Sequence, residues 1–168
     1  MSIAISAVCA ENEAQFLAAV TRSRSLFKDW VAPPSTPEQF AEHLTKYSAD
    51  NNFSYLARMN DGSLIGCINV DEIVRGAFQS AFLGYYAFSP NHGQGLMKPA
   101  MALVIALAFG KLELHRLEAN IQPGNIASIA LVKSLGFRRE GYSPRYLKIA
   151  GTWQDHEHYA ITAEEWLA

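Results

Sequence analysis

The chain has 168 residues, 49% of them hydrophobic and 18% charged, enough for one domain with its own core and too apolar for wholesale disorder. Its 14 lysines and arginines against 16 acids leave a net charge of −2, which gives no bulk attraction to nucleic acid or to an anionic membrane surface. The greasiest run, Ala100 to Phe109, is half of the ~20 residues that a membrane span needs, so a buried helix in a soluble protein is expected.

In chain order, Ile3 to Ala10 is mildly apolar but lacks the basic lead-in and long apolar core of a signal peptide. Cys9 and Cys67 are far apart and form no Cys-x-x-Cys pair. Reduced thiols in a cytoplasm are therefore expected, with Cys67 a small buried hydrophobe. Glu11 to about Arg24 carries Phe16, Leu17 and Val20 at helical spacing, with acids early and arginines late as the helix dipole prefers. Pro33-Pro34-Ser35-Thr36-Pro37 breaks the chain, and Thr36 reads as the N-cap of a second helix, with proline at its first position, running to about Tyr47. Phe27, Trp30 and Phe40 lie between these helices; they either form a substrate wall or simply pack the helices together.

Three strands follow: Phe53 to Met59, Leu64 to Val74 and Phe78 to Phe88, joined by turns at Asn60-Asp61-Gly62 and Arg75-Gly76. A glycine loop and a very apolar helix from Leu96 to Phe109 come next, then a short strand from His115 to Ile121. Pro123-Gly124-Asn125 turns into a helix from Ile126 to Leu135 that Gly136 closes as a left-handed cap. Arg138 to Ile149 and Thr152 to Ile161 form a last hairpin through Ala150-Gly151.

The loop Ser89-Pro90-Asn91-His92-Gly93-Gln94-Gly95-Leu96-Met97 stands between an aromatic-rich strand and a buried helix. That arrangement points free backbone N–H groups at an anion; Gly93 and Gly95 remove side chains from the approach, and the helix start adds partial positive charge. The loop reads as a pyrophosphate cradle. It is neither a dinucleotide fingerprint, since the third glycine is missing, nor a Walker loop, since no Gly-Lys-Ser/Thr follows.

Together, this loop, His115-Arg116-Leu117-Glu118-Ala119-Asn120, Pro123-Gly124-Asn125-Ile126-Ala127-Ser128, Leu135-Gly136-Phe137, Tyr146-Leu147 and Gly151-Thr152-Trp153-Gln154-Asp155-His156 resemble the GCN5-related N-acetyltransferase (GNAT) superfamily. Within it they resemble the ribosomal-protein N-terminal acetyltransferases of RimJ/RimL type. The superfamily's Gln/Arg-x-x-Gly-x-Gly/Ala signature is occupied here by His92-Gly93-Gln94-Gly95-Leu96-Met97, matching at Gly95 and departing at both ends. The resemblance implies an α+β fold in a single domain. Its mixed, mostly antiparallel sheet of about seven strands would part between the fourth and fifth, flanked by about four helices. Acetyl-CoA would be the cosubstrate, with its pantetheine amides meeting main-chain groups around Ala87, Phe88 and Ser89 and its diphosphate on the amides from Asn91 to Met97, that is Asn91, His92, Gly93, Gln94, Gly95, Leu96 and Met97.

Attack of an amine on a thioester needs a neutral amine, a polarised carbonyl and a proton for the thiolate. Glu118 and Asn120 share one strand face. In some members a glutamate base acting through water occupies what corresponds to Asn120; here Asn120 can only hydrogen-bond or position water, and Glu118 is the nearest carboxylate and the candidate base. Its alternative role is to pair with a neighbouring arginine. Asn125 reads as a helix N-cap that the resemblance also places on the pantetheine. In the resembled branch a serine at the place of Ser128, one turn later, is implied to bond the cofactor sulfur and protonate the thiolate; Val132 stands where other members carry a tyrosine acid, which favours Ser128 or direct protonation from the amine. Tyr85 is a strand residue that could line the acyl channel. His156-x-His158 puts two imidazoles on one face, but the reaction needs no Lewis acid and no third ligand is in place, so no metal is expected; Asp155-His156 is expected to tie the last hairpin to the floor of the site.

The expected activity is transfer of acetyl to a primary amine, a protein or peptide N-terminus first, with polyamines, aminoglycosides or amino acids as the small-molecule alternative. Acids for a polyamine pocket exist at Asp50, Asp61, Asp71 and Glu72, without an obvious cluster. A sensor that binds acetyl-CoA without turnover is the other alternative. No membrane or direct nucleic-acid partner is expected, and a homodimer stays open.

Overall fold

The computed structural model describes residues 2–167. Its strands are Ile3–Ala7 (β1), Phe53–Met59 (β2), Leu64–Val74 (β3), Ser80–Ala87 (β4), Arg116–Ile121 (β5), Arg138–Ile149 (β6) and Thr152–Thr162 (β7). Its helices are Glu13–Arg22 (α1), Arg24–Phe27 (α2), Pro37–Lys46 (α3), Met97–Gly110 (α4), Ile126–Ser134 (α5) and Ala163–Leu167 (α6), with a 3-10 turn at Ala10–Asn12. The strands form one seven-stranded sheet in the order β1-β2-β3-β4-β5-β7-β6. Every neighbouring pair is antiparallel except β4 and β5, which are parallel. This is the mixed sheet that the sequence implies.

Two expectations change. The stretch Ile3–Ala7, read only as mildly apolar, is an edge strand that pairs from Ile3 opposite Met59 to Ala7 opposite Tyr55. The single helix expected from Glu11 to Arg24 is interrupted at Ser23, a fully buried residue whose Oγ accepts the N–H of Ser89 at 2.9 Å. Arg22 Nε donates to the Ser89 carbonyl at 2.6 Å. The break is the joint that grips the end of β4. The second helix is as read: Thr36 accepts from the Gln39 N–H, with Pro37 in the first turn. Gly136, at φ 93°, ends α5 in the left-handed conformation that a side chain disfavours.

Alternation along the strands sorts the core into two layers. Ala81 and Leu83 of β4, Leu117, Ala119 and Ile121 of β5 and Tyr159 and Ile161 of β7 pack with Met101, Val104 and Ile105 of α4 and Val132 of α5. On the opposite face Leu56, Leu64, Cys67 and Phe88 pack with Phe16, Phe27 and Phe40 from the first three helices. Phe16, Phe40 and Phe88 are fully buried there, each stabilising the fold by roughly 1.5–3 kcal/mol. Gly66 of β3 lets α4 sit down on the sheet: a Cβ there would lie 2.5 Å from Met97 Sδ and 2.5 Å from the Tyr86 carbonyl oxygen.

The decisive irregularity lies in the parallel pair. β4 and β5 are in register only at Ser80 opposite Arg116, Ala81 opposite Leu117 and Phe82 opposite Glu118. Beyond these the strands part, while β4 continues to Ala87 and β5 to Ile121.

Candidate active site

A parted sheet leaves main-chain groups without partners, and buried ones must find them. The Phe88 N–H donates to the Ile65 carbonyl at 2.8 Å, inside the β3–β4 ladder. Main-chain direction alternates along a strand, so Leu83, Tyr85 and Ala87 turn their N–H and C=O toward the gap. Of the three main-chain positions expected to meet a pantetheine, Ala87 therefore faces the gap. Phe88 and Ser89 do not: their donors are taken by Ile65 and by Ser23 Oγ.

At the wide end of the gap stands the glycine loop. Among the described residues, no backbone N–H from His92 to Leu96 has a partner within the chain. His92, Gly93, Gln94 and Gly95 are exposed. Gly93 and Gly95 have φ of 70° and 76°, and a Cβ on either would meet nothing within 4 Å. The left-handed backbone aims successive amides outward, and the space before them is open, as a bound diphosphate requires. Two side chains brace the loop: Asn91 Nδ2 donates to the Leu64 carbonyl at 2.9 Å, and Gln94 Nε2 to the Pro90 carbonyl at 3.1 Å. Leu96 and Met97 are half-buried against the core; Met97 packs on β3, so these two can offer an anion only their main chain.

At the narrow end is a cleft lined by Trp30, Tyr85, Asn120, Asn125, Ser128 and His156, with Gly84 in its floor. Asn125 caps α5, its Oδ1 accepting the Ser128 N–H at 3.3 Å. Tyr85 and Ser128 share a hydrogen bond of 2.6 Å between their hydroxyls. Burial pushes the Tyr85 hydroxyl well above its ordinary range, only partly offset by the Ser128 bond, so it stays a neutral phenol. Trp30 closes the cleft from the helical layer. Its ring packs on Gly124, where a Cβ would come within 3.1 Å, and Gln122 Nε2 donates to the Asp29 carbonyl at 2.6 Å, pinning the same segment across the gap.

Residues 4–138 match the family described as Acetyltransferase (GNAT) domain. The chain belongs to this family. A [ribosomal protein uS5]-alanine N-acetyltransferase of Escherichia coli is 37% identical over 107 residues, which is 64% of this chain and 55% of that protein. RimJ of Mycobacterium smegmatis, solved in complex with CoA-disulfide, superposes with a TM-score of 0.87 at 27% identity, covering 97% of this chain and 83% of that one. The spermidine N-acetyltransferase of Vibrio cholerae, at 19% identity and a TM-score of 0.84 over 99% of this chain and 98% of that one, shows the shared fold. The protein is an acetyl-CoA-dependent N-acetyltransferase.

The free main-chain edge of β4, the unpartnered amides of the glycine loop and the cleft at Ser128 are groups that could hold a pantetheine, a diphosphate and a thioester in turn. Acetyl-CoA bound there would supply an activated acetyl group and a thiol that leaves.

The GNAT frame also shows which side-chain assignments fail. Glu118 is not brought to the cleft. It sits at the last position of β5 that pairs with β4, its Oε1 accepting Arg116 Nε at 2.8 Å, and lines a separate depression with Glu72, Phe78 and Phe82. Arg116 is held in turn by Glu140, so the arginine alternative describes Glu118 and the base role does not. Phe27 is no substrate wall. It is 6% exposed and packs edge-on against Tyr86 at 5.6 Å, because the short α2 turn buries it beside Leu26. Asn120 reaches the cleft, but its Oδ1 is engaged by His158 Nδ1 at 2.6 Å, and His158 Nε2 meets Ser143 Oγ at 2.7 Å. Asp155 accepts from the Arg145 N–H at 2.8 Å and from the Tyr142 hydroxyl, which ties β6 to β7 within the hairpin rather than to the floor of the site.

The acids that looked scattered are partly gathered. Asp71, Phe82 and Glu118 occupy one row across β3, β4 and β5, and a Cβ on Gly84 would lie 3.4 Å from Asp71 Oδ2. Asp71 is already bonded by the Tyr47 hydroxyl at 2.5 Å and by Lys46 Nζ at 3.0 Å. Sequence reading missed the grip of Arg22 and Ser23 on Ser89, which joins residues 67 and 66 positions apart; no local pattern signals such a contact.

Proposed function

We propose that the protein acetylates the N-terminal amine of a protein, of the ribosomal-protein kind, by direct attack within a ternary complex in the cytoplasm. One observation carries this reading: the gap between β4 and β5 opens to both faces of the sheet. Ser128 and Tyr85 stand on the side of α4 and α5, whereas Gly84, Asn120 and His156 stand on the side of the first three helices. The thioester and the amine can therefore be held together from opposite faces, without a covalent acetyl-enzyme. The amine's lone pair reaches the carbonyl from one face while the Ser128 hydroxyl serves the departing sulfur from the other, with the neutral Tyr85 hydroxyl holding Ser128 in place.

The choice of a single terminal ammonium over a polyamine rests on charge. A polyamine carries three or four cations and calls for several free carboxylates. Here Asp71 is paired with Lys46 and Glu118 with Arg116, which leaves Glu72 as the acid of that face with no ion-pair partner among the described residues. The 37% identity to an enzyme named for alanine at the terminus of uS5 points the same way.

Thiol release from acetyl-CoA, measured against an array of N-terminal peptides, spermidine and an aminoglycoside, tests the reading. Turnover is expected with a subset of peptides, with initial-rate lines that intersect when both substrates are varied. Preference for spermidine over every peptide, or parallel lines, would overturn it.

A further inference from the structure

We propose that His156 is the base of this acetyltransferase, its Nε2 taking the proton of the attacking amine. The proposal rests on the acetyl-transfer reading above and names a residue for the half of the reaction that neither Glu118 nor Asn120 can perform.

His156 is 2% exposed, and its Nδ1 lies 2.9 Å from the Gln154 carbonyl oxygen. A carbonyl can only accept, so Nδ1 carries the hydrogen, and in the neutral ring Nε2 keeps a bare lone pair. Among the described residues Nε2 has no hydrogen-bond partner, yet it is absent from the buried unpartnered atoms, so it keeps contact with open space. The ring lines the cleft that Tyr85, Asn120 and Ser128 also line.

Elimination leads to the same atom. His158 has both nitrogens engaged, by Asn120 and Ser143. Glu118 is held by Arg116 outside the cleft. Tyr85, the other titratable group of the cleft, is bound to Ser128 on the opposite face. His156 stands on the face shared with His158 and Asn120, since the Tyr146 ring lies 6.0 Å from His156 and 4.6 Å from His158. That is the face from which the amine approaches.

The protonation state suits the task. Burial lowers the His156 pKa below its ordinary 6.5; the Gln154 carbonyl raises it, nearby His158 lowers it and Asp155 raises it by less. Tyr146 of β6 is the remaining titratable neighbour, while Trp30, Val31, Asn120 and Gln122 around the cleft carry no charge. The ring is neutral at pH 7 and ready to accept.

The step balances. The nitrogen lone pair forms the N–C bond, the C–S pair departs with sulfur, the surplus proton of nitrogen passes to His156 Nε2, and sulfur takes a proton from Ser128 Oγ. Solvent then takes the imidazole's proton and returns one to the serine, so the net change is one amide and one thiol.

Two measurements test this. In the free protein, 15N–1H correlation at neutral pH is expected to show His156 protonated at Nδ1 and bare at Nε2; a protonated Nε2 would refute the base whatever the enzyme acetylates. In the second, His156→Asn keeps a donor for the Gln154 carbonyl and removes Nε2. With acetyl-CoA and whichever amine of the peptide, spermidine and aminoglycoside panel the wild-type protein acetylates, kcat is expected to fall ~100-fold or more. KM and calorimetric CoA affinity should stay within about twofold, and the loss should shrink toward high pH as hydroxide replaces the base. A loss below about fivefold, or one constant with pH, would reduce His156 to a structural group. If the wild-type protein turns over no amine, the acetyl-transfer reading itself falls, and the base with it.

Discussion

Glu118 and Asn120 are two residues apart on one strand and face the same layer, yet they live in different environments. Glu118 lies where β4 and β5 are still in register, and its carboxylate is spent on Arg116 at 2.8 Å. Asn120 lies where the strands have parted, and it lines the cleft with Tyr85, Ser128 and His156. What separates them is not residue type but the point at which a ladder of main-chain hydrogen bonds stops. Where the ladder is closed, the side chains above it make ordinary surface ion pairs; where it is open, they border a passage through the sheet.

Substitutions at increasing distance from that passage should have decreasing effects. The largest is expected at its mouth: Gly95→Glu puts a negative side chain on a backbone at φ 76°, facing the diphosphate, and should weaken CoA binding by at least ~100-fold in calorimetry. An unchanged affinity would move the anion site away from the loop. Within the passage, Ser128→Ala should lower kcat ~100-fold while leaving CoA affinity within about threefold, and Tyr85→Phe, which removes only the bond at 2.6 Å, should cost about tenfold. Equal effects of the two would mean that the tyrosine itself donates the proton. In the closed segment, Glu118→Gln should change kcat by less than about threefold, the scale of an exposed ion pair. A large loss with a displaced pH profile would restore it as the base and erase the contrast.

This contrast also marks how far the sequence could be read. Asn125, Ser128, Gly93 and Gly95 were legible because caps and left-handed turns are local: the residues that need them sit within a turn of one another. The sheet was legible from alternation and hairpin turns, except β1, whose short edge pattern of Ile3, Ala4, Ile5 and Ser6 is too weak to distinguish from an apolar tail. The surroundings of Glu118, Phe88 and Ser89 are less legible: Glu118 pairs with an Arg116 that Glu140 holds in place, the Phe88 N–H is taken by Ile65 across the ladder, and the Ser89 N–H by Ser23 at the break between α1 and α2. His156 was seen as a hairpin tie, since nothing in its neighbourhood states that its ring faces a cleft built from β4, β5 and α5.

The bare backbone at Gly66 has a reach well beyond its own strand. Because the Met97 sulfur fills the volume that any side chain there would claim, the seating of the long apolar helix, and hence the aim of the amides just ahead of it, is decided on a neighbouring strand rather than in the loop. A single methyl added at that spot would also meet the Tyr86 carbonyl oxygen at 2.5 Å; the thioether can swing aside but the carbonyl is main chain, so β3 and β4 would have to move apart just ahead of the loop, with every residue expected to touch coenzyme left chemically intact.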